Sequence, residues 1–580
     1  MNTINENTLK NTQAWLNDPV IDDETKSEIK NMMENNPAEL NEAFYANLEF
    51  GTGGLRGIMG VGSYRMNKYT VGMATQGLAN YLIESFNDTE IKVAIAYDVR
   101  NNSKYFAQVA ANVLSANNIK VFLFQEPRPT PMLSFAVRHL NCQSGIVITA
   151  SHNPKEYNGY KVYWDDGAQL TPPHDTNVID RVNKIGGLKD VKFNGNDNLI
   201  VPIGDDVDNA YFNKLKTYVL QPDVIKQNEN IKIVYTPIHG TGLHTVPRAL
   251  KEFGFKNVIL VEEQAVQDGN FPTVVSPNPE ERSAMAIALK KAEKVNADII
   301  LATDPDSDRL AVGLKNHKNE YVLLNGNQTA VLLTYYLIKQ WKDRNKLTGN
   351  EFIVKTVVTS ELMSDIAVKA GVEYYDVLTG FKWIAKIIRE NEGKKTFIGG
   401  GEESFGYMVG DFVRDKDALI SCSVFAECVA WANSRNMSLF EILIEIYLEY
   451  GFYKERLVNI VRKGISGKKE IKSMMDNYRN NPPEYINGSK VIIIKDYKTH
   501  KRTDVETNAV TTIDLPSSDV LQFFLEDGSK ISVRPSGTEP KIKFYFSVKE
   551  ELKDKVDFDV ADEKLEKKLD DIITDLGVNN

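Results

Sequence analysis

Apolar positions along the chain fall into a recurring order of short unbroken runs and longer stretches with helical spacing. Val93, Ala94, Ile95 and Ala96 make one such run at 92–97, after which Phe106, Val109, Ala110, Val113 and Leu114 recur every three or four residues. The first pattern predicts a buried strand and the second a helix with one face on a core. Further strands are expected at 121–124 and 145–148, with a helix at 70–86 ahead of them. The order then returns twice. Residues 232–235 predict a strand, followed by a helix to Phe253, a strand at 257–262, a helix at 283–295 and a strand at 297–302. From Asn327 a helix runs through Ala330, Leu333, Tyr336 and Ile338, and strands follow at 352–358, 373–377 and 396–398 with helices between them. Such alternation predicts largely parallel sheets with covering helices.

The flanks differ. Residues 5–48 are polar with scattered apolar positions and read as covering helices, the last at 41–48. Residues 418–432 and 439–449 read as helices, and 453–475 carry basic residues that suit a connector. Beyond it strands dominate, at 490–494, 520–525 and 541–547, before a covering helix at 563–576. The expected organisation is α/β with four domains. Three are similar α/β units with mixed, largely parallel sheets, at 1–205, 206–322 and 323–452, and 453–580 is a connector with a smaller C-terminal α+β domain. A length of 580 residues accommodates four domains of ordinary size.

Composition narrows the function classes. With 42% hydrophobic and 26% charged residues the chain has material for several cores. A formal net charge of -10 argues against nucleic acid as a partner, so any substrate phosphate must be held by local basic clusters. Cys142, Cys422 and Cys428 show no pairing pattern and no metal-type spacing. The N-terminal residues lack the basic and apolar segments of a secretory signal, and no uncharged apolar run reaches membrane-spanning length. A cytoplasmic protein with no membrane partner is expected, a monomer or a weak homo-oligomer.

Several loops carry candidate chemistry. After the strand at 145–148 comes Thr149-Ala150-Ser151-His152-Asn153-Pro154, running on to Lys161. A serine hydroxyl is a weak nucleophile without help, and His152 and Lys161 are the local candidates to supply it; the other reading is a turn whose polar side chains bond the backbone. Upstream, Phe50-Gly51-Thr52-Gly53-Gly54-Leu55-Arg56-Gly57 has enough glycine to let backbone approach a ligand. Asp98-Val99-Arg100 and Arg128-Pro129-Thr130-Pro131 follow strands and are expected to support the site. Asp304-Pro305-Asp306-Ser307-Asp308-Arg309 places three carboxylates at alternate positions between apolar runs, where they repel one another unless a cation sits among them. Hard oxygen ligands suit Mg²⁺ or Ca²⁺. An EF-hand is excluded, because Arg309 and Lys315 stand where it needs glycine and glutamate.

In the third unit, Thr379-Gly380-Phe381-Lys382 and Gly399-Gly400-Gly401-Glu402-Glu403-Ser404-Phe405-Gly406 follow strands. Glu402 and Ser404 offer acceptors suited to sugar hydroxyls. A glycosidase pair of acids is the alternative, but it leaves the serine and aspartate loops without a role. Lys382 is either a general base with lowered proton affinity or a salt-bridged lysine. Near the C-terminus, Arg534-Pro535-Ser536-Gly537-Thr538-Glu539-Pro540 combines guanidinium, hydroxyls and free glycine amides, which make a phosphate cradle; a hairpin turn is the plainer reading.

Taken together, the Phe-Gly-Thr-x-Gly-Leu-Arg-Gly string, the Thr-Ala-Ser-His-Asn-Pro loop, the aspartate loop, the Gly-Glu-x-Ser segment and the Arg-Pro-Ser-Gly-Thr loop resemble, in order, the motifs of the α-D-phosphohexomutase superfamily. They span nearly the whole chain. Pro277-Asn278-Pro279-Glu280 also resembles its pattern, and equally fits a proline-rich turn. The resemblance implies four domains around a central cleft and a sugar-phosphate substrate. It implies that Ser151 is the phosphoserine, that Arg56 faces it, and that Ser151, Asp304, Asp306 and Asp308 hold Mg²⁺ through three carboxylates and a phosphate oxygen. Arg309 would contact the same phosphate. Thr379, Gly380, Glu402 and Ser404 would bind the sugar, while Arg534, Ser536, Gly537 and Thr538 would bind its distal phosphate. Ser151, His152, Lys161, Arg56 and Lys382 form the expected catalytic set.

The Glu-Glu-Ser-Phe-Gly form resembles the phosphoglucomutase and phosphopentomutase branches and lacks the histidine of the mannose and glucosamine branches. The implied activity is interconversion of glucose 1-phosphate and glucose 6-phosphate through glucose 1,6-bisphosphate, which also activates the enzyme by priming Ser151. A pentose phosphate is the near alternative and a non-catalytic sugar-phosphate sensor the distant one.

Overall fold

The computed structural model describes residues 4–51, 54–87, 89–462, 464–536 and 541–578. Its first sheet has six strands, ordered Gly54–Ile58, Tyr157–Trp164, Ser144–Ile148, Lys92–Tyr97, Lys120–Phe124 and Ile200–Ile203. The last four are parallel neighbours, whereas Tyr157–Trp164 runs antiparallel to Ser144–Ile148 and to the edge strand. The second sheet orders Tyr321–Leu323, Leu310–Lys315, Ile299–Thr303, Ile233–Thr236 and Val258–Leu260, with its last three strands parallel. A third sheet of four strands orders Glu373–Val377, Glu351–Thr356, Thr396–Gly401 and Tyr407–Val409.

One device recurs in all three. A buried strand inside the parallel set, Ser144–Ile148, Ile299–Thr303 or Thr396–Gly401, turns back through a short loop into an antiparallel neighbour. The first two of these strands are buried along their whole length, so side chains that need water or a ligand are confined to the loops. The loops are those carrying Ser151, the aspartate trio and Glu402.

The strings read from sequence depart from the structure in several places; Gly399–Gly401, for one, ends the strand Thr396–Gly401 and is not a loop after it. Gly54–Ile58 is an edge strand, not an open glycine loop. Gly54 has φ +127, and a side chain there would start 1.8 Å from the Tyr160 carbonyl oxygen, so glycine is required for close strand pairing. The basic stretch expected to be a connector begins with the strand Phe452–Val461, paired along its full length with Lys541–Glu550 in the antiparallel C-terminal sheet. Alternation was masked by charge: Lys454 and Arg456 point at Asp562, Glu566 and Asp570 of the last helix, Phe558–Asp575.

The N-terminal residues form the helices Glu6–Asn17, Asp23–Asn35 and Pro37–Phe44, started by the side chains of Asn5, Asp22 and Asn36, which accept the backbone N–H groups of Thr8, Thr25 and Glu39. The last of them closes at Phe44, short of the expected 48. Among the described residues no helix is long and apolar enough to cross a membrane.

The helix Ala418–Ser434 is buried on every side from Ala418 to Ala432 and packs on Gly242–Phe253 and Pro222–Gln227, which bolts the third unit to the second. Its Glu427 is fully buried and accepts N–H groups from Leu220, at 2.8 Å, and Gln221. Burial pushes its carboxyl up to about 7. The folded chain therefore holds this proton to higher pH than the unfolded chain, and stability falls as pH rises through about 7. Glu427→Gln keeps an acceptor oxygen without the charge. It is expected to stabilise by on the order of 2–3 kcal/mol at alkaline pH and to be nearly neutral in acid, which thermal melts on either side of neutrality would show.

Candidate active site

The serine loop is held from below by a buried ion pair. Asp98 and Arg100, both nearly inaccessible, stand 3.2 Å apart at the end of the strand Lys92–Tyr97. The Arg100 guanidinium donates to the carbonyls of Ser151, Asn153, Pro154 and Tyr157, and so fixes the loop through its backbone. Asp98 accepts from Thr149 Oγ1 at 2.7 Å, and Thr149 Oγ1 in turn accepts the Ser151 N–H at 2.8 Å. Held this way, Ser151 takes φ +53. A non-glycine residue in this region costs roughly 1–2 kcal/mol, sustained by the surrounding bonds.

Ser151 Oγ lies 2.7 Å from Asp304 Oδ2 and 3.2 Å from His152 Nδ1. The hydroxyl from the first hairpin thus meets the carboxylate trio from the second. Asp304 Oδ1 accepts the N–H groups of Asp308 and Arg309, which closes the aspartate loop on itself. Asp306 accepts from Lys161 Nζ at 2.8 Å and from Thr130 Oγ1 at 3.0 Å; the Thr130 N–H also bonds its carbonyl. Asp308 faces Lys161 at 3.5 Å and Lys416 at 3.2 Å.

Burial first, then Asp306 and Asp308, push the Asp304 carboxyl well above its ordinary range. Asp306 moves the other way: burial opposes its ionisation, but Lys161 overcomes that and holds it low. Lys161 itself is disfavoured as a cation by burial and more than compensated by Asp306 and Asp308, so it stays charged. His152 is held well below its ordinary range by burial and by the nearby Arg309 and Arg56. Ligand oxygens of Asp304, Asp306 and Asp308 all lie within 4.8 Å of one another, and Asp306 Oδ1 and Asp308 Oδ1 are buried without a hydrogen-bond partner. A divalent ion with oxygen ligands at about 2.1 Å spaces them by about 3 to 4 Å. The trio therefore fits a metal ion, which would supply the partner that both orphaned oxygens lack.

A cavity of about 550 Å³ opens over this centre. Ser151, Lys161, Asp308, Arg309, Arg56, Glu402 and Gly380 all line it. Glu402, only 8% exposed, accepts the Gly380 N–H at 2.8 Å, so the two turns of the third unit are tied together. Burial raises its carboxyl, with Lys416 opposing. Arg56 stands exposed on the edge strand, with Nη1 3.4 Å from Asn153 Oδ1. Thr379 and Ser404 are half-buried in the same two turns. Lys382 follows the cavity-lining Phe381; its Nζ is 3.5 Å from Asp175 Oδ2, and burial lowers its proton affinity against the pull of that carboxylate.

Arg534 is half-buried on the strand Lys530–Pro535, opposite Lys543, and the Ser536 N–H bonds the Lys541 carbonyl. Gly537 and Thr538 lie outside the described residues.

Lys416 is the site residue that motif reading missed. It lines the cavity, contacts Asp308, and is oriented by Asp415 at 2.9 Å, whose other oxygen accepts from Tyr163 and Gln169. Burial disfavours its charge, but Asp308, Asp415 and Glu402 raise its proton affinity further. A signal was present in Arg414-Asp415-Lys416-Asp417, four charges between the apolar runs at 407–409 and 418–420, all of them buried.

Three hairpins of one topology, bringing a hydroxyl, a carboxylate trio and a buried glutamate to a single cavity, define a four-domain α/β protein of the phosphohexomutase class. Family models described as phosphoglucomutase/phosphomannomutase alpha/beta/alpha domains I, II and III match residues 47–188, 209–317 and 325–450, and the model of the C-terminal domain matches 492–562. The chain belongs to the phosphoglucomutase/phosphomannomutase family. It is 38% identical over 511 residues to a phosphoglucomutase of Staphylococcus haemolyticus, covering 87% of this chain and 91% of the relative, and 38% identical over 515 residues to one of Staphylococcus aureus, covering 88% and 91%. Among solved structures, the fold is similar to the open form of the Paramecium phosphoglucomutase pp63/parafusin, with TM-score 0.67 at 18% identity over 92% of this chain and 97% of that one. It is also similar to a phosphoglucomutase/phosphomannomutase family protein of Burkholderia thailandensis, with TM-score 0.64 at 18% identity over 92% and 99%.

Proposed function

We propose that this chain is a phosphoglucomutase, an isomerase that interconverts glucose 1-phosphate and glucose 6-phosphate through phosphorylated Ser151 and a glucose 1,6-bisphosphate intermediate. The observation that carries the reading is the 2.7 Å contact between Ser151 Oγ and Asp304, beside two carboxylate oxygens that have no partner. The name shared by the curated relatives supports the choice of glucose phosphate.

Asp304, Asp306 and Asp308 would hold Mg²⁺, which when bound neutralises charge on the phosphoryl oxygens. In the first half-reaction the bond from phosphorus to Ser151 Oγ breaks as a sugar hydroxyl oxygen, giving up its proton, bonds phosphorus and Ser151 Oγ takes a proton. In the second the exchange reverses, the bond from the bisphosphate's other sugar oxygen to phosphorus breaking as Ser151 Oγ is phosphorylated again. Such transfers need charge stabilisation and positioning more than covalent help. Lys161, Lys416 and Arg309 stay cationic around the transferring group, and Arg56 faces the serine loop from the edge strand. His152, neutral and 3.2 Å from Ser151 Oγ, is the group placed to exchange the serine proton. Glu402, Ser404, Thr379 and Gly380 orient the sugar. Lys382, held by Asp175, is assigned to fixing that turn. The loop of Arg534, Ser536, Gly537 and Thr538 takes the distal phosphate, and the bisphosphate turns over between the two transfers.

The protein is proposed to work as a cytoplasmic monomer or weak oligomer; its three cysteines are buried and unpaired, which suits a reducing compartment. Intact mass tests the reading. After incubation with glucose 1,6-bisphosphate and Mg²⁺ the chain is expected to gain one phosphoryl group, and coupled assays should give a higher kcat/KM for glucose 1-phosphate than for ribose 1-phosphate. No mass gain, or a preference for the pentose, overturns it.

A further inference from the structure

The loop between the 3-10 turn Glu262–Gln264 and the helix Arg282–Val295 touches both halves of the phosphoryl centre without entering it. Its root is fixed in the second unit: His239 bonds the Val266 carbonyl at 3.0 Å through Nδ1 and Thr273 Oγ1 at 2.9 Å through Nε2, and Gln264 also donates to Thr273. Phe271, buried and at φ +47, lies under the Arg100 guanidinium at 5.0 Å, the same group that staples the serine loop. Gly269 passes so close to the first unit that a side chain there would start 2.5 Å from the Asn101 nitrogen. Ser276 Oγ donates to the His152 carbonyl at 2.8 Å, one residue from Ser151. Four residues on, Glu280 is paired with the Arg309 guanidinium, which otherwise has a carboxylate, Asp308, only at 4.0 Å.

We infer that this loop is the gauge that sets Arg309 against Ser151, and that Glu280 is a positioning residue acting through Arg309. The inference rests on the mutase reading, because it assigns Arg309 to the phosphate on Ser151. An arginine on a flexible stem bonds phosphate well only when its plane is fixed beforehand, and a charge-assisted pair with a carboxylate on the far side does that. Glu280 is anchored in turn, since its N–H donates to Asn278 Oδ1 at 3.2 Å. The contact at Ser276 and the contact at Glu280 share one short backbone, so displacement of the serine loop is transmitted to the arginine.

A double-mutant cycle decides the matter. Glu280→Gln is expected to lower kcat by about 10–100-fold with KM changed by less than about threefold, since a misplacement of about 1 Å costs that much in rate. In an Arg309→Gln background the same substitution should cost less than about twofold, because the residue it positions is gone. Glu280→Asp should recover part of the rate. Ser276→Ala should show the same kcat pattern more weakly. Equal losses in both backgrounds, or an unchanged kcat for Glu280→Gln, overturn the inference; melting curves identify any variant that fails to fold, and Glu280→Asp and Ser276→Ala then carry the same cycle. If the wild-type chain takes no phosphoryl group from glucose 1,6-bisphosphate, the mutase reading has failed instead.

Discussion

Ser151→Ala is expected to lose mutase turnover by on the order of 10⁴-fold or more and to gain no mass from glucose 1,6-bisphosphate. The size follows from the proposed role, in which every turnover passes through a bond to Ser151 Oγ, the hydroxyl 2.7 Å from Asp304. Ser151→Gly sharpens the result. Glycine takes φ +53 without the penalty that serine bears, so this variant should be equally inactive yet more stable than Ser151→Ala by about 1 kcal/mol. An inactive protein that melts higher would show that the backbone strain at Ser151 serves chemistry and not folding. Retention of isomerase activity in either variant would sink the phosphoserine role.

Asp306→Asn is expected to lower kcat by on the order of 10³-fold, by weakening the ion and the field it supplies. Asp306 is fully buried, and it carries both the short bond to Lys161 and one of the orphaned oxygens. The substitution keeps the shape and removes the charge. It leaves Lys161 without its nearest partner at a cost of about 3–5 kcal/mol, unless Asp308 moves to replace it. Calorimetric titration should show weaker Mg²⁺ binding. In the native chain a chelator should abolish turnover and added Mg²⁺ should restore it; the variant should need far more metal for a lower plateau. Full activity in the presence of chelator would remove the metal from the reaction.

What the sequence made legible is what depends on local pattern. The strands at 92–97 and 373–377 and the helix at 283–295 sit where their apolar spacing put them, to within a residue or so. The aspartate loop was readable because three acids between two buried strands have few other uses. Contacts made across the chain were not readable. Lys416 reaches Asp308 from more than a hundred positions away, and nothing in its immediate neighbours says which carboxylate it will meet. Glu280 fits the superfamily's pattern and a proline-rich turn equally, and only the fold shows Arg309 beside it. The strand Phe452–Val461 was hidden for the opposite reason: Lys454, Glu455 and Arg456 stand side by side and look like a solvated run, whereas Lys454 and Arg456 pair with the last helix and Glu455 with Ser360. Edge pairing likewise rescued Gly54–Ile58 from the open conformation its composition suggests.

The equivalence of the three hairpins separates the labours of the molecule. In the proposed mechanism attack, charge neutralisation and sugar choice each occupy the same corner of a different copy of one architectural unit, so each could be rewritten without disturbing the strands that carry the other two. On that assignment, a lineage that changed the segment between Thr396–Gly401 and Tyr407–Val409 would acquire a new sugar while inheriting its phosphoryl chemistry intact.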